Sequence, residues 1–119
     1  MNHELIILKE IDNDGSLIYL YKNKEVTTLS AFGKSAYALR LNSQEHKLDN
    51  IKLFSFNLDL PCTILNEVSV KELITNGLTI IENNDDYIIL SNAITFMRED
   101  YIDWSNKLIN ISKGITYSD

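Results

Sequence analysis

The sequence has few of the residues that staple small secreted proteins or build metal sites. Cys62 is its only cysteine, so no intrachain disulfide can form, and a small protein without disulfides suits a reducing compartment. The two histidines, His3 and His46, and this single cysteine lack the spacing of a zinc site or of a nucleophile beside its base. We therefore expect no metal, no cofactor and no cysteine-based catalysis.

Long apolar runs are also missing. Residues 5–8 form a short apolar stretch that Lys9 ends, whereas a signal peptide needs about 7–15 apolar residues after a basic start. A membrane-spanning helix needs about 20. The sequence therefore predicts a cytoplasmic protein that does not insert into a membrane.

Positive charge is scarce. The chain of 119 residues has 11 Lys and Arg against 17 Asp and Glu, for a formal net charge of −6 at pH 7. A nucleic-acid partner normally requires an excess of Lys and Arg, so that class is disfavoured. With 45% hydrophobic and 24% charged residues the composition is globular. This length fits one domain, and we predict a single domain over residues 1–119.

Strand patterns occur along most of the chain. Asp14-Gly15 between two apolar runs is typical of a β-hairpin, and Pro61 is expected to end an alternating strand. The stretch 30–41 fits strand or helix spacing, and Gly33 favours the strand because glycine weakens a helix interior by about 1 kcal/mol. The other predicted strands cover residues 4–11, 16–21, 25–29, 54–60, 78–82 and 87–90.

Two segments predict helices. Ser69 and Glu72 have the spacing of a capping box, which predicts a short helix over 69–76, with Gly77 as its left-handed terminal residue. Residues 94–112 predict an amphipathic helix, since apolar side chains recur at helical intervals. That stripe consists of Met97, Tyr101, Trp104, Leu108 and Ile111. The fold class is therefore α+β, an antiparallel sheet of about four to six strands with both helices packed on one face. A winged helix is the alternative, which the strands of the N-terminal half disfavour.

Two short motifs match parts of ligand-binding loops without completing them. Gly33-Lys34-Ser35 matches the end of a phosphate-binding loop, but Thr28 stands where the first glycine is needed. We also expect no buried strand before it and no helix after it, both of which the motif requires. Residues 10–15 match the first half of a calcium loop, but Tyr21 stands where a bidentate carboxylate is required. The sequence therefore predicts neither a bound nucleotide nor calcium.

Acidic residues concentrate in the C-terminal half. We expect the hairpin 78–90 to pack beside the last helix because their connection, 91–93, is short. Acids of both elements would then form one surface for a basic partner, with an aromatic anchor, although such charges also serve simply for solubility. Trp104 is expected to pack inside instead. The predicted partner-binding residues are Glu82, Asp85, Asp86, Tyr87, Glu99, Asp100 and Asp103.

Two function classes remain open. Small size, acidity and the lack of a catalytic signature favour a non-catalytic module that binds a basic, toxin-like or effector-like protein, as a bacterial immunity protein, antitoxin or inhibitor does. The alternative is a small α+β enzyme or ligand-binding domain with a site of carboxylates and tyrosine. A deep pocket with perturbed titratable groups would favour the second class, and a flat acidic face the first. An uncovered edge strand could also pair with a second copy of the chain.

Overall fold

The computed structural model describes residues 3–48, 51 and 54–112. These ranges contain one antiparallel sheet of six strands and four helices, which confirms the α+β prediction. The helices are α1 (His3–Asp12), α2 (Gly33–Glu45), α3 (Glu67–Thr75) and α4 (Arg98–Ser112). The strands are β1 (Leu17–Asn23), β2 (Thr28–Phe32), β3 (Phe54–Asn57), β4 (Leu60–Asn66), β5 (Ile80–Asn83) and β6 (Tyr87–Ser91). No helix in these ranges has the length and apolar character needed to cross a membrane.

The strand order is β3-β4-β2-β1-β6-β5, with antiparallel pairing throughout. β1 is central: Tyr21 lies opposite Ser30 of β2 on one side and opposite Tyr87 of β6 on the other. β3 and β5 are the edge strands. The hairpin predicted over 78–90 is confirmed as β5–β6.

The main core lies on the face of the sheet that α2, α3 and α4 cover, which we call the first face. Ile18 and Leu20 of β1 are fully buried there, in one cluster with Leu39 of α2, Leu73 of α3 and Trp104 of α4. The predicted burial of Trp104 is confirmed. α2 packs mainly on β1 and β4, and α4 packs mainly on β3 and β4.

A smaller core lies on the second face, because alternate residues of a strand point to opposite sides. Tyr21, Phe32 and Cys62 pack there with Ile6 of α1. The prediction of a strand over 4–11 is therefore wrong. Ile6 and Glu10 are the buried residues of α1, and their spacing of four is that of one helix face.

The preference for a strand over 30–41 is also wrong, because α2 begins at Gly33. Gly33 is the first residue of the helix, so the cost of glycine in a helix interior does not apply. Ala36, Tyr37, Ala38 and Leu39 are all buried. A helix enclosed on most sides has no polar face, and its sequence therefore shows no helical period.

The strand predicted over 54–60 is two strands. Leu58 and Asp59 both have a positive φ, 56° and 59°, and form the turn between β3 and β4. Pro61 lies inside β4 rather than after a strand. It is tolerated because the pairing of β4 with β2 begins only at the next residue, where Cys62 lies opposite Phe32.

The two predicted helices exist with shifted starts. Asn66 rather than Ser69 caps α3, since its Oδ1 accepts a hydrogen bond from the Ser69 N–H at 2.9 Å. Gly77 follows α3 with a φ of 101°, as predicted. α4 begins at Arg98, which leaves Met97 outside the helix and 65% exposed, so its predicted place in the core is wrong.

Candidate functional site

Three of the predicted partner-binding acids form the tip of the β5–β6 hairpin, and we call Glu82, Asp85 and Asp86 the hairpin patch. All three are exposed. Asn84 fixes the turn, because its Oδ1 accepts hydrogen bonds from the N–H groups of the residues two and three places on, at 2.8 and 2.9 Å. Asp86 also pairs with Lys24 of the β1–β2 turn, with 2.9 Å between Oδ1 and Nζ. The tip is therefore held in one conformation with its carboxylates in solvent.

The other three acids are on α4, and we call Glu99, Asp100 and Asp103 the helix patch. Glu99 and Asp100 lie in the first turn, where unpaired N–H groups favour negative charge. All three side chains are exposed, whereas Trp104 of the same helix is buried. The helix thus presents its acids outward and its aromatic residues inward.

The two patches lie at opposite ends of the strands. Tyr87 lies opposite Tyr21, towards the end of β1, whereas Ser91 lies opposite Leu17 at its start. The hairpin tip therefore stands at one end of the sheet, and the chain leaves β6 for α4 at the other. The expectation that the hairpin packs beside the last helix is wrong, because α4 packs mainly on β3 and β4, far from the β5 edge.

Two further acids share the end that carries the helix patch. Asp12 and Asp14 are exposed at the end of α1 and in the loop after it. That loop lies against the segment leading into α4: Asn92 Nδ2 donates to the Gly15 carbonyl at 2.8 Å, and a Cβ on Gly15 would stand 2.6 Å from the Phe96 ring. Residues some 80 positions apart in the sequence thus meet, which no local pattern indicates.

Tyr87, the predicted aromatic anchor, is half-buried on the second face. Its ring stands edge-on to the rings of Tyr19 and Tyr21, with centroids 6.3 and 6.2 Å away. Lys9 Nζ of α1 lies 5.8 Å from its centroid, a cation–π distance. The ring of Tyr87 therefore already has a cation–π contact with a lysine of the same chain.

Glu10 is a buried acid that the sequence did not single out as a functional residue. It is 8% exposed. The Ser35 hydroxyl donates to its Oε2 at 2.7 Å, and the Ser35 N–H and Asn13 Nδ2 donate to Oε1 at 3.2 and 3.4 Å. Burial raises the pKa of Glu10 to about 7, and these hydrogen bonds, which favour the carboxylate, offset only part of the rise.

The same carboxylate changes the interpretation of Gly33-Lys34-Ser35. This tripeptide does follow the buried strand β2 and does open a helix, so our expectation about its context is wrong. In a phosphate-binding loop the first N–H groups of the helix point at an external anion. Here the Ser35 N–H points at Glu10, while Phe32 at the N-cap makes no side-chain cap. An acid of the chain itself takes the anion's place, and the absence of a bound nucleotide stays a prediction.

Grooves open on both faces of the sheet. The first-face groove, of about 780 Å³, lies between α3 and the β5–β6 hairpin and includes Val70, Ile80 and Ile88. The second-face groove, of about 830 Å³, lies between the first turn of α1 and the β3–β4 turn. Glu10 lines neither of them.

The floor of the second-face groove combines aromatic and neutral polar groups. Tyr21 is 3% exposed, and its hydroxyl has no hydrogen-bond partner among the residues that the structure describes. Cys62 lies nearby, and burial raises the pKa of its thiol to about 11. Asn23 Nδ2 donates to the hydroxyls of Thr28 and Ser30 at 2.8 and 3.1 Å. No local sequence pattern indicates this groove, because its lining residues come from separate strands and from α1.

Comparisons of the chain with protein-family models, with curated proteins and with solved structures found no match. The groups described above offer little for catalysis. In the part of the chain that the structure describes, no three His, Cys, Asp or Glu side chains could hold a metal ion together. Cys62 stays a protonated thiol near neutral pH and is therefore a weak nucleophile. Glu10 is enclosed by its own hydrogen bonds, away from both grooves.

Proposed function

We propose that the protein is a non-catalytic cytoplasmic module that binds a basic protein, as an immunity protein, an antitoxin or an inhibitor does. The outward placement of six carboxylates supports this most strongly. The acids of the hairpin patch and the helix patch are exposed, and only Asp86 among them forms an ion pair with a base that the structure describes. Complementary charge of this kind accelerates encounter with an oppositely charged partner and rejects others.

The helix patch is the better docking centre. Asp12 and Asp14 add two carboxylates at its end of the molecule. Lys34 lies beside them: its Nζ donates to the Asn13 carbonyl at 3.1 Å, and its charge contributes, after the hydrogen bonds from Ser16, to lowering the pKa of Asp14. At the hairpin end, Lys24 pairs with an acid of the patch itself. Charges that lie within about one Debye length, 8 Å at physiological salt, act together on an approaching protein.

The alternative is an enzyme or ligand-binding domain with a carboxylate–tyrosine site, and Glu10 with Tyr101 is a candidate pair for it. Glu10 and Tyr101 both approach Gly33: a Cβ there would lie 3.0 Å from Glu10 Oε1 and 3.5 Å from the Tyr101 hydroxyl. Burial, helped by the charge of Glu10, raises the pKa of Tyr101 to about 12. The pair is packed between α1, α2 and α4, where it supports the fold and would not meet a substrate.

Two matched charge variants test the proposal. Glu99→Gln/Asp103→Asn in the helix patch and Glu82→Gln/Asp85→Asn in the hairpin patch each remove two negative charges, which takes the formal net charge from −6 to −4. Both variants keep the Lys24–Asp86 pair. The wild-type chain, immobilised, captures its partner from an extract of the cells that make it. Association of the identified partner is then measured by surface plasmon resonance at several salt concentrations.

We expect a basic partner whose association with the wild type slows as salt rises. The helix-patch variant should slow association by about two- to tenfold, and the hairpin-patch variant by less, because charges at an interface act mainly on the on-rate. Equal association rates for all three proteins, without salt dependence, would mean that these acids only keep the protein in solution.

A further inference from the structure

We propose that the second-face groove binds a small uncharged organic ligand with an aromatic or branched apolar body and a carbonyl-type hydrogen-bond acceptor. This site is separate from the acidic patches of the proposed function. It rests on the shape of the groove, on the buried, unsatisfied hydroxyl of a tyrosine that lines it and on the lack of an available charge beside that tyrosine.

The groove has the size and lining of a small-molecule site. Its volume of about 830 Å³ lies within the range of about 300–1,000 Å³ that such sites occupy. Phe32 and Leu58 supply apolar surface, and Ile64 points from β4 into the same groove while 62% exposed. Leu5 of α1 forms part of the opposite wall. A large apolar side chain left open on a sheet face is surface that an apolar ligand body would cover.

The Tyr21 hydroxyl supplies the polar anchor. A buried donor without a partner is costly, and native proteins retain few of them. Burial raises the pKa of Tyr21, with a smaller contribution from the charge of Glu10, so the phenol remains protonated and able to donate at neutral pH. A ligand oxygen that reaches this hydroxyl forms the hydrogen bond that no described residue provides. The ligand oxygen reaches this hydroxyl only when the side chains that cover the phenol move, because the hydroxyl is closed to water.

The remaining polar groups favour an uncharged ligand. Asn23 bonds the two hydroxyls beside it, and the Cys62 thiol is protonated. At the rim, Lys24 and Asp86 neutralise each other, and Glu25 and His3 are in solvent. Lys22 also lines the groove, but its Nζ already donates to Asn83 Oδ1 and to the Asn84 carbonyl, at 2.8 and 2.5 Å. An ionised ligand would lose its hydration on the floor without meeting a counter-charge, which is strongly unfavourable.

Three small probes test the ligand class by nuclear magnetic resonance of the ¹⁵N-labelled full chain. N-methylbenzamide has an aromatic ring and a carbonyl acceptor, benzoate has the same ring with a charge, and benzene has no acceptor. N-methylbenzamide should shift the amide signals of Tyr21, Phe32 and Cys62 saturably. Benzoate should bind at least about tenfold more weakly, because its charge is desolvated. Shifts scattered over the surface, or equal binding of benzoate, would overturn the proposal.

Tyr21→Phe and Tyr19→Phe are the matched variants, since both tyrosines are on β1 and face the same side but only Tyr21 lines the groove. Tyr21→Phe should weaken N-methylbenzamide binding by about two- to tenfold, the effect of one hydrogen bond, and leave benzene binding unchanged. Tyr19→Phe should leave both unchanged. Loss of an unpartnered hydroxyl does not unfold a protein, so the melting temperature of Tyr21→Phe should equal or exceed that of the wild type. Unchanged amide binding by Tyr21→Phe would refute the role of the hydroxyl.

Discussion

Glu10 joins two helices that lie on opposite faces of the sheet. Its carboxylate, carried by α1, accepts hydrogen bonds from the main chain and the hydroxyl of Ser35 in the first turn of α2. The N–H groups of that turn have no partner within the helix, and Phe32 before it cannot cap them. A side chain distant in sequence thus does what an N-cap residue usually does.

The burial of Glu10 makes stability depend on pH. Its pKa rises from 4.5 to about 7 on folding, so the native state holds this proton more tightly than the unfolded state. The stabilisation is complete below about pH 4.5 and is lost as the pH rises through 7, by about 3 kcal/mol at most. Urea unfolding at pH 5 and pH 8 measures it. We expect Glu10→Gln to lose less stability over this interval than the wild type, and parallel losses would contradict the role of Glu10.

Gly15 and Gly77 form a matched pair for a second prediction. Both have a positive φ, 97° and 101°, which costs an alanine about 1–2 kcal/mol. A Cβ on Gly15 would also collide with the Phe96 ring at 2.6 Å, whereas one on Gly77 would meet nothing within 4 Å. Gly15→Ala should therefore lower the free energy of unfolding by about 1–3 kcal/mol more than Gly77→Ala, the cost of overpacking. Thermal denaturation of the two variants decides this, and equal losses would mean that Phe96 moves aside freely.

At the scale of elements, local sequence patterns predicted the helices and hairpins in which polar and apolar residues are clearly separated. α4 has acids on one side and Trp104 on the other, and β5–β6 has a polar turn between two apolar strands, so both were found. α2 is buried on most sides and α1 exposes Ile7, Leu8 and Ile11, so neither shows a clean helical period. The exposure of the site acids follows from their positions on these elements. The distance between the hairpin patch and the helix patch depends on the path of the chain between β6 and α4, and long-range packing determines that path.

Leu108 and Ile111 test the packing of α4. Leu108 is half-buried against the main core, whereas Ile111, one turn later, is 66% exposed. Leu108→Ala should cost about 2 kcal/mol, near the low end for a leucine that is not fully enclosed. Ile111→Ala should change stability by less than about 0.5 kcal/mol. Chemical denaturation gives both values, and a larger loss for Ile111→Ala would show that the buried side of α4 is misassigned.

At the scale of the whole molecule, the edges of the sheet decide whether it pairs with a second copy. β5 is an edge strand whose four residues are all exposed, although a bulge between Ile80 and Glu82 interrupts its register. Antiparallel pairing of two β5 strands would bring two molecules of the same negative charge together, including Glu82 of each. Such a dimer should strengthen as salt rises, the opposite of binding to a basic partner. Sedimentation velocity at low and high salt distinguishes the two, and a dimer that weakens with salt would rule out this interface.

The central position of β1 also shapes how the chain is made. Its partner β2 follows within a few residues, but its other partner, β6, begins 64 residues after β1 ends at Asn23. At roughly 5–20 residues per second, a ribosome needs about 3–13 s to synthesise that interval. Until then β1 has one unpaired edge, open to neighbouring nascent chains. Slower synthesis of the residues between the two strands therefore lengthens the time in which that edge can pair with another chain.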